Sequence, residues 1–311
     1  MDDLAPTNAP APIDVEVDDA RVDRFRGIRD RELRGTLGLH AIESERVVRR
    51  FLVAAIRRRS EPMPPALEPH ALLATPDAIE RLSNELAEAT RRFPHLAIHR
   101  VADERALHAI TGYTMHSGAV ALGVRHADGT VDELVRTIGS AEHARGPGRT
   151  DLLLALDGVT QTDNVGAIFR NAASFGARGV LLSPRASDPF LRKTLRVSMG
   201  RALNLPWARA DAGAWPEALD RIRRELGYAI VAAEDSPGAI DLARLAPPPR
   251  AVVVVGAEQD GVSPEILAMA DAVVRIPMDD LGGALALDPP SLNVSIASAV
   301  VLHAMRAQPR A

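Results

Sequence analysis

Ala251–Val255 is an unbroken apolar run, Ala-Val-Val-Val-Val, that ends directly on Gly256. A strand with one wet face alternates apolar and polar side chains, so a run like this must be covered on both faces. Comparable runs occur at Leu152–Leu156, Val180–Leu182, Tyr228–Ala233 and Val273–Ile276. Helical spacing fills the intervals at Val165–Phe175, Pro189–Met199, Trp215–Leu226, Pro264–Met269 and Leu292–Met305. Alternation of this kind predicts an α/β fold whose parallel sheet carries helices on both faces. In such sheets ligands sit beyond the carboxyl ends of the strands.

At 311 residues the chain exceeds what one core usually serves, and two domains are expected. Residues 1–20 are rich in Pro, Ala and Asp without periodicity and read as a disordered acidic tail. Residues 21–138 predict a small α/β domain. It has helices at Ser44–Arg58, Pro76–Arg91 (with Thr75 placed to cap it) and Glu104–Ile110, and strands at Ala71–Ala74, Leu96–Val101 and Ala119–Val124. Residues 139–150, with Gly146-Pro147-Gly148, read as a linker, and 151–311 as the larger domain.

Charge narrows the function classes. The net charge is −4, yet the first 19 residues hold six acids and no Lys or Arg. From Ala20 to Ser60 there are twelve Arg against five acids, the footprint expected of a nucleic-acid backbone binder, or else a set of solvated helix faces. Cys is absent, which excludes disulfides and Cys-ligated metal and suits a reducing compartment. No apolar run spans a bilayer and no secretory layout opens the chain, so a cytoplasmic protein without membrane attachment is expected. The nine His show no HExxH-like spacing, and no metal is expected. A GxGxxG turn and a P-loop are both missing, and Asp288-Pro289-Pro290-Ser291 lacks the aromatic of amino-group methyltransferases.

Three segments place polar residues where strands end. Leu156–Ala177 carries Asn164, read as a helix cap, and Arg170, read as lying on much the same helical side. Val252–Asp271 runs through Gly256, Ala257 and Glu258 into a helix opened by Ser263-Pro264, and Gly256 would let a ligand approach the backbone. In Arg275–Arg306, Ser291 is read as the cap of a small, apolar helix with Asn293 in its first turn. A helix apolar all round is buried in a core or a subunit interface.

Taken together, DNVGAIFRNAASFG, VVGAEQDGVSPEILAMADAVVRIPM and SLNVSIASAV resemble, in order, the three signature motifs of the SpoU/TrmH family of RNA ribose methyltransferases. The resemblance covers roughly Asp151–Arg306. HAIESERVVRRFL and ITGYTMHSGAVALGV more weakly resemble the ribosomal-protein-like RNA-binding domain that precedes it in this family. It implies a C-terminal trefoil knot, S-adenosylmethionine held around Gly256, Ala257, Glu258, Ile276, Met278 and Leu292, and a homodimer using the helix after Ser291. It further implies that Asn164, Arg170, Glu258, Ser291 and Asn293 serve methyl transfer to a ribose 2′-hydroxyl, rRNA being favoured over tRNA. An Arg stays protonated, so Arg170 is expected to clamp phosphate and stabilise alkoxide charge, with Asn164 and Ser291 orienting the sugar. The segment Arg185–Arg201, with Arg192, Lys193, Arg196 and Arg201, is expected to add RNA phosphate contacts.

Two departures from the family pattern stand out. Gln161-Thr162 replaces the usual Asp-Pro, and Asp279–Pro290 is longer than the usual spacing. Two other readings stay open: an RNA-binding or ribosome-assembly factor without catalysis, and an α/β enzyme acting on a small molecule.

Overall fold

A computed structural model of the chain describes residues 11–27, 38–60, 67–114, 118–125, 127–140, 150–279 and 291–306. It divides into two units, Met1–Asp128 with Phe190–Asn204, and Gly129–Pro189 with Leu205–Ala311.

The first unit contains β1 (Ile13–Asp14), β2 (Leu39–Glu43), α1 (Glu45–Ser60), β3 (Leu67–Ala74), α2 (Pro76–Arg81), α3 (Ser83–Arg92), β4 (Ala97–Arg100), α4 (Glu104–Thr111) and β5 (Ala119–Arg125). Its strands form a mixed sheet in the order β1-β4-β3-β5-β2, with β5 antiparallel to both β3 and β2. Thr75 caps α2 as expected, its hydroxyl accepting from the Ala78 amide at 3.4 Å. The single helix expected over Pro76–Arg91 is two, because Leu82 (φ −100°, ψ 4°) leaves helical geometry between them. Among the described residues, three of the twelve Arg between Ala20 and Ser60 are in ion pairs: Arg21 with Asp19, Arg26 with Asp23, and Arg49 with Glu85.

Phe190–Asn204 corrects the division expected from sequence, since this stretch of the second half packs with the first unit. Its helix is short, Arg192–Val197. The His40 ring Nδ1 lies 3.0 Å from the Phe190 carbonyl. Arg192 pairs with buried Glu43 and lies over the Tyr113 ring, 4.5 Å from its centroid, while the Tyr113 hydroxyl donates to Glu43 at 2.5 Å.

The second unit runs α5 (Val131–Ser140), β6 (Asp151–Asp157), α6 (Thr162–Phe175), β7 (Val180–Leu182), β8 (Trp207–Arg209), α7 (Trp215–Leu226), β9 (Ala229–Ala233), β10 (Ile240–Asp241), β11 (Arg250–Gly256), α8 (Pro264–Met269), β12 (Ala272–Arg275) and α9 (Val294–Arg306). These strands form a parallel sheet in the order β10-β12-β9-β11-β6-β7-β8. Both faces are covered, as the unbroken apolar strands require: β6 is buried throughout and β11 from Ala251 onward. Leu134, Val135 and Ile138 of α5 join Leu219 and Ile222 of α7 in one core, so the boundary falls before α5. Residues 141–149 of the expected linker lie outside the described residues, as does 280–290, the stretch on which the expected knot depends.

Candidate active site

β6 and β11 lie side by side in register, with Gly256 level with Asp157. From β6 the chain builds outward through β7 and β8; it then builds β9, β11 and β12 on the other side. The order therefore reverses between β6 and β11. Loops leaving the two strands there diverge and open a crevice.

Three segments distant in sequence meet in that crevice around one carboxylate. Glu258 Oε1 accepts hydrogen bonds from Asn164 Nδ2 (2.8 Å) and Asn293 Nδ2 (2.6 Å), and Oε2 accepts from Gln161 Nε2 (2.8 Å). Asn293 Nδ2 also donates to Asn164 Oδ1 at 3.0 Å. All three donors to Glu258 are neutral amides, and among the described residues the carboxylate has no ion pair. It lies at the junction of two cavities.

Both expected caps are corrected here. α6 begins at Thr162 with Gln161 as its N-cap, so Asn164 lies inside the first turn and spends its side chain on Glu258. At α9 the cap is Asn293 rather than Ser291: its Oδ1 accepts from the Ser295 amide at 2.9 Å and hydroxyl at 2.6 Å. A Ser two positions further from the helix cannot reach those amides.

The first cavity, of about 300 Å³, is lined by Gly256, Ala257, Glu258, Ile276, Met278, Ser291 and Leu292, the residues expected around a cofactor together with Ser291. Val294 and Ala297 of α9 add apolar wall, and Glu234, Asp235 and Asp260 add carboxylates. Apolar walls suit a purine, and acids suit sugar hydroxyls and a positive sulfonium, so these residues fit S-adenosylmethionine. Gly256 is needed for a reason other than the expected ligand approach. A Cβ there would lie 2.0 Å from the Gly261 carbonyl carbon, inside the turn of its own loop. That turn closes through the Gly261 amide to Ala257 O (2.9 Å), with Gly261 at φ +67°, and Glu234 fastens it by accepting from the Val262 amide at 2.8 Å.

The second cavity, of about 340 Å³, shares the wall Ala257–Asp260 and continues over Gly158–Gln161, Asn164 and Arg185. Arg170 lines neither cavity. The expectation that it sits beside Asn164 is corrected by helix geometry: six residues place it about 120° around and about 9 Å along the axis. Its side chain is exposed on α6. Of the expected RNA-contact set, Arg192 is spent on Glu43 and Tyr113, and Lys193, Arg196 and Arg201 are exposed on the first unit. Sequence reasoning gave Gln161 and Glu234 no part in the site and included Arg185 only as the first residue of the expected Arg185–Arg201 phosphate-contact segment; it lies three residues past β7, at the carboxyl end of that strand. Among the described residues no group of acids and His is arranged to hold a metal, and no helix is long and apolar enough to cross a membrane.

Residues 151–303 match the family described as SpoU rRNA Methylase. A tRNA/rRNA methyltransferase of Mycobacterium tuberculosis, itself named as uncharacterized, is 29% identical over 296 residues, 92% of this chain and 88% of the relative. One from Mycobacterium avium, named likewise, is 32% identical over 248 residues, 79% of this chain and 72% of its own. The AdoMet-bound rRNA methyltransferase of Sinorhizobium meliloti shares the fold at a TM-score of 0.70 and 22% identity, covering 94% of this chain and 97% of that one.

Proposed function

Because the chain belongs to the SpoU rRNA methylase family, we propose that it transfers a methyl group from S-adenosylmethionine to a ribose 2′-hydroxyl of structured RNA, rRNA being favoured over tRNA. The observation that carries this reading is the meeting of Asn164, Glu258 and Asn293 between two adjoining cavities. One cavity fits the methyl donor and the other is open to a sugar.

When bound, S-adenosylmethionine supplies a sulfonium methyl for in-line displacement by the ribose oxygen. Everything else falls to this chain. A 2′-hydroxyl attacks well only when its proton is held or removed, and Glu258, on the wall between the cavities, is the acceptor placed for it. Asn164, Asn293 and Gln161 fix the carboxylate's orientation before substrate arrives, which makes the site preorganised. Gly256 and the Glu234-fastened turn shape the donor cavity, and Ser291 and Leu292 border it. Arg170 and the cations Lys193, Arg196 and Arg201 are assigned to the RNA backbone, outside the reacting centre. A separate N-terminal unit with its own core supports recognition of a structured RNA element, which is why rRNA is favoured.

We further assign a homodimer to α9. Ile296 and Val300, one turn apart on α9, stand 53% and 38% exposed, and Leu292, just before the helix, 39%; a second copy would cover this apolar patch.

The test is methylation of total RNA with labelled S-adenosylmethionine, followed by mapping of sites resistant to alkaline hydrolysis. One or a few protected ribose positions, concentrated in rRNA, are expected. Methyl groups on bases alone, or no transfer with cofactor bound, would overturn the reading.

A further inference from the structure

We propose that Arg185 is the phosphate clamp of the RNA cavity, a positioning residue for the reaction; this rests on the reading above. Arg185 is the only cation among the described residues lining the second cavity, whose shared wall also carries the carboxylates of Glu258 and Asp260. Those carboxylates repel an RNA backbone, so a cation elsewhere on the lining decides where a phosphate can rest.

The loop that carries Arg185 is held far more firmly than a surface loop needs to be. The Ser183 amide donates to Leu156 O (3.0 Å) and the Ser187 amide to Val159 O (2.9 Å), while Ser183 Oγ accepts from the Gly158 amide (2.8 Å). The Ser187 hydroxyl donates to Thr160 O. Behind the loop, Arg209 Nη1 donates to three of its carbonyls, Ser183 (3.2 Å), Pro184 (3.4 Å) and Ala186 (2.6 Å). One arginine is thus consumed in fixing the backbone around another.

Arg185 itself is exposed and makes no hydrogen bond or ion pair among the described residues. Its guanidinium rests over Gly158, where a Cβ would stand 3.2 Å from Nη2. A rigid mount with an open, fork-shaped head group is what recognition of a phosphate requires. The other anion available to it is the cofactor's carboxylate. The lining favours RNA, because Arg185 borders the second cavity and not the one that fits the donor.

The experiment compares wild type, Arg185→Ala and Arg185→Lys in filter binding to deproteinised total rRNA across a KCl series, with calorimetric titration of S-adenosylmethionine. For Arg185→Ala we expect RNA binding to weaken about tenfold, the loss typical of one charge-assisted contact, and the slope of log K against log salt to fall by about one. Arg185→Lys should keep the wild-type slope and recover part of the affinity, and cofactor affinity should stay within about twofold in both variants. Unchanged RNA affinity and slope in Arg185→Ala, with an active wild type, would overturn this assignment and leave the methyltransferase reading standing. Weakened cofactor binding with an unchanged salt slope would also overturn it, giving the guanidinium to the donor's carboxylate. A wild type that binds neither cofactor nor RNA removes both readings together.

Discussion

In the proposed reacting centre Glu258 is the pivotal residue, and its three amide donors fix where the carboxylate is aimed. Glu258→Gln preserves shape but removes the carboxylate and sets an N–H against a donor amide, that of Gln161 or those of Asn164 and Asn293. We expect single-turnover methylation to fall by about a hundredfold or more, with thermal stability nearly unchanged because the side chain is exposed. A variant within threefold of wild type would take Glu258 out of the reacting centre. Asn164, Glu258 and Asn293 were all legible in the sequence, as polar residues in loops that follow apolar strands. Their roles as mutual partners were not. Whether Asn293 caps a helix depends on where Ser295 stands, and that is settled by the end of α9 rather than by local residue type. Arg170 was misplaced for a simpler reason: six is not a helical repeat, so equal prominence in the sequence put it on another side.

Among the elements, the turn after β11 carries the most constraint. Gly256→Ala forces a methyl into the Gly261 peptide, so we expect a loss of about 1–3 kcal/mol in unfolding free energy and at least tenfold weaker cofactor binding. Calorimetry and cofactor titration read both; a stable variant with wild-type affinity would show that the turn can open without cost. The main strands of the second unit were readable because burial on both faces leaves an unmistakable apolar signature. Trp207–Arg209 and Ile240–Asp241 were not: each ends on a charged residue, whereas Val180–Leu182, as short as the first of them, is wholly apolar. β2 escaped for another reason: His40 and Glu43 interrupt its apolar pattern, and both are buried beside polar partners drawn from residues 113, 190 and 192. Only tertiary structure supplies those partners.

For the molecule as a whole, the charge run at Ala20–Ser60 proved less free than its density suggested, since Arg21, Arg26 and Arg49 are paired with nearby acids. Quaternary structure is where the exposed edge of α9 should declare itself. Wild type is expected to sediment at twice the chain mass, and Ile296→Glu, which sets a charge in the middle of the apolar patch, at the mass of one chain with its helical content intact. A monomeric wild type would leave that patch without the partner assigned to it.

The pairing of β6 with β11 also governs timing. About a hundred residues separate Asn164 from Glu258, and the strand that brings them together is laid down after most of the unit has been synthesised. Contacts that close so large a loop form late, after local helices and hairpins have settled. A nascent chain that has not yet delivered Arg250–Gly256 therefore has α5, α6 and α7 but neither the wall between donor and acceptor nor the two helices that follow it. The site then waits further for Asn293 at the start of α9, whose amide completes the hold on Glu258, so it assembles only when nearly the whole unit has emerged.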